Sequence, residues 1–201
     1  MKKILLTLIA FQVFFIQAQS FVPNPPELDL KSYILIEPNT NTVIAEFNST
    51  SEIEPASMTK IMTAYVTADQ IGNELISIDD EVLISEKAWR MEGSRMFIEA
   101  GKRVSVSDLL KGIIIQSGND ASVAIAEYVG GTERGFVDLM NAYAGSLNMN
   151  NTIFQNSTGL PAENHFSSAK DLAILTSHLI TKFPEIYSFY KEKQFTINKK
   201  K

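Results

Sequence analysis

The chain of 201 residues contains 18 basic and 23 acidic residues, no cysteine and two histidines. The lack of cysteine excludes thiol catalysis, disulfides and zinc–thiolate centres, and His165 and His178 are too few for a histidine-based metal cluster, so we expect no cofactor. The net charge of −5 argues against nucleic acid as a partner because phosphate contacts need clustered cations, whereas 45% apolar residues suffice for one ordinary domain.

Residues 1–20 have the organisation of a secretory signal peptide. Two lysines lie near the N-terminus, an apolar stretch runs from Ile4 to Ile16, and small residues follow at Ala18 and Ser20, a spacing that a signal peptidase accepts. The stretch is short for a membrane-spanning helix, which needs about 20 apolar residues, although an uncleaved anchor is the alternative. We therefore expect an exported protein, periplasmic or in the cell envelope, cleaved after one of the two small residues.

Two β-rich segments open the part of the chain that is expected to fold. The segments SYILIE (32–37) and TVIAEF (42–47) are separated by the turn sequence PNTN, which predicts a β-hairpin. Further along, VLIS (82–85) is a candidate short strand, RMEGSRMFIEAG (90–101) a loop, and FTIN (195–198) a weak candidate strand. A hairpin alone is marginal in water, so the sheet predicted from these strands is incomplete.

Hydrophobic periodicity predicts that the rest of the chain is helical. The predicted helices begin at Ser57, span 105–115 and 121–129, and begin again at Thr132 and near Ser168. Pro184 ends the last of them and is suited to open a further short helical turn. The inward-facing residues of three of these helices are predicted to be Met58, Ile61, Met62, Tyr65 and Val66; Phe136, Leu139, Met140, Tyr143 and Leu147; and Leu172, Leu175, Leu179 and Phe183.

Ser57 and Lys60 are candidates for catalysis because they lie one turn apart at the start of the first predicted helix, which is otherwise apolar. A serine hydroxyl there lies near the positive end of the helix dipole, and a lysine kept neutral by burial can accept its proton. The same S-x-x-K spacing occurs at Ser167–Lys170 and Ser188–Lys191. Spacing alone therefore does not distinguish a catalytic pair from a capping serine and a solvated lysine.

A second polar group, Ser117–Gly118–Asn119, lies between two apolar helical runs in the segment GIIIQSGNDASVAIA. Helix stability does not require a hydroxyl and an amide at this point, which favours a functional role. The structural alternative stays open on the residues alone. It is a tight turn between helices, with Gly118 at a positive φ and Asn119 capping the next helix.

At these two motifs the chain resembles the serine-type D-alanyl-D-alanine carboxypeptidases, the low-molecular-mass penicillin-binding proteins of the peptidase S11 family. The segments PASMTKIMTAYV, GSRMFIEAG, LLKGIIIQSGNDASVAIAEYVGG and NSTGLP resemble that family in order and spacing, from about residue 30 to the end. The resemblance implies an α+β fold of the penicillin-binding/β-lactamase-like type, with a helical cluster on an antiparallel sheet. It also implies that residues 21–201 form the N-terminal part of the catalytic domain.

Carried over residue by residue, the resemblance assigns a role to each motif. Ser57 would attack the carbonyl between the two terminal D-alanines of a peptidoglycan pentapeptide, and water would hydrolyse the resulting acyl-enzyme. Lys60 would be the base, Ser117 would relay a proton to the departing amine, and Asn119 would hold the substrate amide and orient Lys60. The Ser57 backbone N–H would supply one oxyanion donor, the 90–101 loop would border the cleft, and β-lactams would acylate Ser57.

The third motif of the family, K-T-G, does not occur in the printed sequence, which ends in FTINKKK. In the family its lysine helps bind the substrate carboxylate and its strand supplies a second oxyanion donor, whose loss costs about 10²–10³ in rate. We therefore expect either a fragment of a longer protein or a truncated and inactive copy. Peripheral association with the inner membrane would require an anchor beyond Lys201.

Other functions are kept as alternatives. A class A β-lactamase shares the serine–lysine pair, but its second motif reads S-D-N where this chain has S-G-N, and rapid hydrolysis of penicillin would identify it. A non-catalytic wall-binding remnant would fold without forming a penicillin adduct at Ser57. A purely structural helical domain is disfavoured by the extent of the resemblance.

Overall fold

The computed structural model describes residues 29–196. The predicted signal peptide over 1–20 and its cleavage site lie outside the described residues, as does the second half of the candidate strand FTIN. Phe195 and Thr196, the first half of that segment, belong to no strand.

The described range opens with a pair of strands, and five successive α-helices follow its last strand. The strands are β1 (Tyr33–Glu37), β2 (Thr42–Phe47), β3 (Glu81–Leu83) and β4 (Arg103–Ser105). The helices are α1 (Thr59–Gly72), α2 (Glu86–Trp89), α3 (Val106–Gln116), α4 (Asn119–Gly130), α5 (Glu133–Ser146), α6 (Ala169–Lys182) and α7 (Pro184–Tyr187). This combination of a helical cluster with antiparallel strands confirms the predicted α+β class.

Helix α1 is the centre of the cluster and packs against α3, α4, α5 and α6. Its apolar residues Met62, Tyr65 and Val66 are buried, as the predicted stripe requires. Met58 is 44% exposed, so its assignment to the buried stripe was wrong, because the α-helix begins only at Thr59. Large side chains that are fully buried around α1 are Leu109, Ile125, Phe136, Phe154 and Leu175.

Side-chain caps mark where three of the other long helices begin. The hydroxyls of Ser105, Thr132 and Ser168 accept the backbone N–H groups of Asp108, Gly135 and Asp171, respectively. These caps confirm the predicted starts of α3, α5 and α6. Pro184 is the first residue of α7, as predicted, since its missing N–H is not needed at that position.

The predicted hairpin forms between β1 and β2, with Tyr33 opposite Phe47 and Leu35 opposite Ala45. A second antiparallel pair joins β3, which overlaps the predicted VLIS strand at Val82 and Leu83, to β4. The sequence does not reveal β4 because its three residues contain one apolar side chain, Val104, and that is too short for an alternating pattern.

The corner between α3 and α4 differs from the structural alternative that the sequence suggested. Ser117 has the left-handed φ of 57°, whereas Gly118 has a φ of −64° and precedes the first helical residue, Asn119. The expectation that Gly118 adopts the positive φ and that Asn119 is the cap was therefore wrong. A left-handed conformation costs a residue with a side chain about 1–2 kcal/mol, so the fold holds Ser117 in a constrained position.

Candidate active site

Ser57 lies on a 3-10 turn, Ala56–Met58, that precedes α1. The expectation that the α-helix itself begins at Ser57 was wrong, because a tighter turn occupies that position. Ala56 has a φ of 46°, in the left-handed region, and its carbonyl oxygen accepts the N–H of Thr59. The turn leaves the Ser57 side chain exposed, which a nucleophile acting on an external substrate requires.

Lys60 lies in the first turn of α1 and is only 5% exposed. Its Nζ is 3.5 Å from the Oγ of Ser57 and donates a 2.6 Å hydrogen bond to the carbonyl oxygen of Thr158. None of the ion pairs among residues 29–196 involves it. Burial lowers the pKa of Lys60 from 10.5 to about 8, because the ammonium loses hydration and gains no opposite charge. The neutral amine is therefore populated near neutral pH.

The two other S-x-x-K pairs lack these surroundings. Lys170 and Lys191 are exposed, so their amines stay hydrated. Ser167 is fully buried and its hydroxyl is 2.8 Å from that of Thr152, which is a structural contact. Within the described range, burial of the amine and exposure of the hydroxyl occur together only at Ser57 and Lys60.

The segment NSTGLP, residues 156–161, forms the loop that covers Lys60. The side-chain oxygen of Asn156 accepts the N–H groups of Thr158 and Gly159, which closes a tight turn. Gly159 has a φ of 84° and lies against the 3-10 turn, where an added Cβ would overlap the carbonyl oxygen of Ala56. The sequence comparison with the family singled out this segment but did not identify its contact with Lys60.

The 156–161 loop is also fastened to α1 and α5. The hydroxyl of Thr63 donates to the carbonyl oxygen of Ser157 at 2.8 Å. The N–H and hydroxyl of Ser157 both donate to one oxygen of Glu133, at 3.2 and 2.9 Å. The other oxygen of Glu133 pairs with Lys87 at 2.7 Å. Side chains from three separate parts of the chain therefore position the carbonyl that Lys60 contacts.

A buried histidine supports the start of α1. Nδ1 of His165 accepts the N–H of Gln155 at 3.2 Å, so its proton is on Nε2, which lies 2.9 Å from the hydroxyl oxygen of Thr59. Burial lowers the pKa of His165, which favours this neutral form. The histidine thus ties the chain after the 156–161 loop to the residue beside the Ser57 turn. The sequence predicts no role for His165, since two histidines are too few for a metal cluster.

The Ser117–Asn119 corner is fastened to the predicted loop over 90–101. The side-chain nitrogen of Asn119 donates to the carbonyl oxygen of Glu92 at 2.6 Å. The backbone N–H of Asn119 donates to the carbonyl oxygen of Ser94 at 2.7 Å. The hydroxyl of Ser94 in turn donates to the carbonyl oxygen of Gln116 at 2.5 Å. The Ser117 side chain is half-buried.

Asp120, the residue after the S-G-N motif, shapes the same loop. Its fully buried carboxylate accepts the backbone N–H groups of Met96, Phe97 and Ile98 at 3.0, 2.9 and 3.3 Å. These bonds hold Phe97 at a left-handed φ of 62°. The sequence analysis assigned Asp120 no role, although an acid at the first turn of a buried helix is a signal for such contacts.

The two predicted motifs are carried by helices that pack on one another, since α1 contacts both α3 and α4. Ser57 and Lys60 meet directly, as predicted. A Lys60–Asn119 contact is not among the hydrogen bonds of residues 29–196, in which Lys60 donates to Ser57 and Thr158 and Asn119 donates to Glu92. The roles of Ser117 and Asn119 toward Lys60 and the substrate therefore stay predictions.

No group of three or more His, Asp or Glu side chains between residues 29 and 196 is arranged to hold a metal ion. Over the same range, each helix is either too short or too polar to cross a membrane.

Comparisons with known proteins give consistent matches. The profile of the D-alanyl-D-alanine carboxypeptidase family matches residues 19–201. D-alanyl-D-alanine carboxypeptidase DacC of Escherichia coli is 44% identical over 180 residues, which cover 87% of this chain and 45% of DacC. Penicillin binding protein 6B of Escherichia coli superposes with a TM-score of 0.85 at 41% identity, over 89% of this chain and 58% of that one. Penicillin-binding protein D2 of Listeria monocytogenes, solved in an ampicillin-bound form, has a TM-score of 0.77 at 26% identity, over 87% of this chain and 72% of its own.

This chain spans about half the length of the curated relatives that it matches. The structural matches confirm the predicted penicillin-binding type of α+β fold. The family match and the identities above 40% confirm the resemblance that the two motifs indicated. The chain therefore belongs to the D-alanyl-D-alanine carboxypeptidase family.

Proposed function

We propose that this chain carries the acyl-transfer centre of a serine-type carboxypeptidase, which removes the terminal D-alanine from peptidoglycan stem peptides. The observation that carries the proposal is the pairing of an exposed Ser57 hydroxyl with a buried Lys60 amine 3.5 Å away. A lysine without an acidic partner and with a pKa of about 8 is suited to accept a proton from serine.

The proposed reaction proceeds through an ester on Ser57. The Oγ of Ser57 attacks the carbonyl carbon between the two terminal D-alanines, while its proton moves to the neutral Nζ of Lys60. The C–N bond then breaks, and a proton passes from Lys60 through the Ser117 hydroxyl to the amine of the departing D-alanine. Water attacks the remaining ester, which releases the shortened peptide and restores the Ser57 hydroxyl.

Binding of the substrate involves the groups around this pair. The backbone N–H of Ser57 lies at the start of the α1 region and is proposed as one donor to the oxyanion. The side-chain amide of Asn119 is proposed to contact the substrate amide. The 90–101 loop, which is bonded to Asn119 through Glu92 and Ser94, is proposed as one wall of the cleft.

β-Lactams are the proposed inhibitors, and their acylation product would be an ester on Ser57. Support comes from the Listeria monocytogenes relative, which was solved with ampicillin bound. We further infer that residues 1–20 direct export and that 21–201 form the N-terminal part of a catalytic domain acting in the periplasm or cell envelope. The support for export is the charge and apolar pattern of the first twenty residues.

The proposal is tested by incubating the purified chain with benzylpenicillin and measuring its intact mass, followed by peptide mapping. We expect one added penicilloyl group on the peptide that contains Ser57 and none in Ser57→Ala. Ser188→Ala is a matched control because it removes the serine of another S-x-x-K pair, and it should acylate as the wild type does.

Other outcomes identify the alternatives. Folded wild-type protein without an adduct would support the non-catalytic remnant and contradict the proposal. Rapid hydrolysis of penicillin with no accumulated ester would instead support a β-lactamase. Circular dichroism of each sample distinguishes loss of chemistry from loss of folding.

A further inference from the structure

Glu133 lies at the first turn of α5, far in sequence from Ser57 and Lys60, yet it is linked to Lys60 through the 156–161 loop. Its side chain is 15% exposed. One carboxylate oxygen accepts both the N–H and the hydroxyl of Ser157, and the other pairs with Lys87. The next residue, Thr158, presents the carbonyl that accepts the Lys60 ammonium hydrogen bond.

We propose that Glu133 is a positioning residue that holds the 156–161 loop over Lys60, so that the loop excludes water from the amine and the Thr158 carbonyl orients it toward Ser57. This inference rests on the proposed role of Lys60 as the base. Glu133 touches neither Ser57 nor Lys60, and it acts on the reaction through Ser157 and Thr158.

The burial of the linking residues supports this role. Ser157 is fully buried and Thr158 is 2% exposed, so the loop is closely packed over the amine. Buried polar groups that lose a partner are costly, and loss of Glu133 would leave two donors of Ser157 unpaired. The loop would then move to satisfy them, and water would reach Lys60.

The other contacts of the loop do not replace Glu133. Thr63 bonds the carbonyl of Ser157 and Asn156 bonds the N–H groups of Thr158 and Gly159, but Glu133 is the acceptor for the N–H of Ser157. Burial acts to raise the pKa of Glu133. The hydrogen bond and charge of Lys87 and the two hydrogen bonds from Ser157 outweigh burial, so this pKa lies below its usual value. The carboxylate is therefore ionised under the conditions of the assay.

The charge of Glu133 and its hold on the loop have opposite effects on the pKa of Lys60, so the two effects can be told apart by measurement. A negative charge nearby favours the ammonium, so removal of the Glu133 charge alone would lower the pKa of Lys60. Opening of the loop would hydrate the ammonium and so raise the pKa of Lys60. An increase in the Lys60 pKa after removal of Glu133 therefore reports lost position, not lost charge.

The experiment is a pH titration of the lysine 13Cε resonances by NMR, with Lys60 assigned from Lys60→Met. We expect the Lys60 pKa to rise by one unit or more in Glu133→Ala, and the penicillin acylation rate at pH 7 to fall about tenfold per unit. Glu133→Gln should show no rise, with a Lys60 pKa at or below the wild-type value, because its amide oxygen still accepts both Ser157 donors while the negative charge is lost. Asp138→Ala, which removes an exposed carboxylate from the same helix, is the matched control and should change neither.

An unchanged Lys60 titration in folded Glu133→Ala overturns the inference, and so does a rise of equal size in Glu133→Gln. If Glu133→Ala does not fold, Glu133→Asp is compared with Glu133→Gln. The proposal requires the Lys60 pKa in the Asp variant, which keeps the charge but draws it away from Ser157, to lie above that of the wild type as well as that of the Gln variant. A value no higher than the wild type overturns it. An ordinary Lys60 pKa in the wild type together with no adduct at Ser57 would instead overturn the proposed function.

Discussion

At the scale of single residues, the chemistry of the site depends on the surroundings of Lys60. Of the lysines between residues 29 and 196, Lys60 alone is buried. Its amine meets two neutral oxygens, of Ser57 and Thr158, and no carboxylate within the described range. The fold thus lowers the pKa of Lys60 by desolvation and leaves the Ser57 hydroxyl open to solvent.

The acylation rate should therefore depend on pH through Lys60. Because the base must be neutral and its pKa is about 8, the rate should rise with pH and level off above that value. At pH 7 it should be about a tenth of the plateau. Stopped-flow measurements with a fluorescent penicillin between pH 6 and about 9.5 would give the profile.

Lys60→Met is the control for this profile. The variant lacks the base and should acylate at least about 10² times more slowly, with no inflection near 8.

Stability gives an independent check. The pKa of Lys60 is about 8 in the folded state and 10.5 in the unfolded state. Between these two pH values the unfolded lysine still holds a proton that the folded lysine has released. The free energy of unfolding of the wild type should therefore rise with pH relative to that of Lys60→Met. A wild-type profile without an inflection in this range would contradict the assignment of the base.

At the scale of elements, the close approach of the 156–161 loop to the Ser57 turn determines the shape of the site. Gly159 and Ala56 both have left-handed φ values, of 84° and 46°, and their backbones touch. Thr59 is bonded to His165 beside this contact. The turn, the loop and the start of α1 therefore form one closely packed unit.

Gly159→Ala should weaken this unit. The new Cβ would require an unfavourable left-handed conformation and would overlap the Ala56 carbonyl, so we expect a loss of about 2–4 kcal/mol in the free energy of unfolding and slower acylation. Urea denaturation followed by circular dichroism measures the first effect. Penicillin labelling of the folded variant measures the second.

Gly145→Ala is the matched control for this substitution. Gly145 lies inside α5, where an added Cβ meets no atom within 4 Å, so alanine should stabilise the protein by about 0.5–1 kcal/mol through helix propensity. Equal effects of the two substitutions would show that the contact between Gly159 and Ala56 is unimportant.

At the scale of the whole molecule, the β1–β2 hairpin exposes several large apolar side chains. Tyr33 and Phe47 stack as a cross-strand pair, yet Leu35 is 55% and Phe47 is 49% exposed. Tyr33 and Leu35 lie two apart on β1 and therefore point to the same face, and Phe47 lies opposite Tyr33 on β2, so all three share one face of the hairpin. Within the described range this sheet has two strands, and helix α6 packs against β1.

We expect the purified chain to self-associate through this hairpin face, because an exposed apolar face next to free strand edges favours association. Sedimentation velocity across a concentration series should reveal the association, and Leu35→Lys should reduce it. Leu75→Lys is the control, because Leu75 is 68% exposed and follows α1 rather than lying on either strand of the hairpin. A monomer at all concentrations, or equal effects of both variants, would contradict the prediction.

Local features of the chain were predictable from the sequence because they depend on neighbours a few residues apart. The periodic positions of Met62, Tyr65 and Val66 identified the buried face of α1, and Ser105 and Ser168 identified two helix starts. The hairpin followed from two β-rich runs on either side of a turn sequence. Met58 and the φ angles of the 117–119 corner were wrongly predicted, because a 3-10 turn and a left-handed serine depend on contacts that periodicity does not contain.

The sequence by itself determined the family, the order of the main elements and the identity of the serine–lysine pair through its motif context. It could not distinguish that pair by spacing, since the same spacing occurs three times. Only the tertiary structure decided which lysine loses its hydration, because Lys60 is covered by Thr158, which is 98 residues away. Burial is a property of packing between distant segments, and for that reason the contacts of Glu133, His165 and Gly159 emerged only from the folded chain.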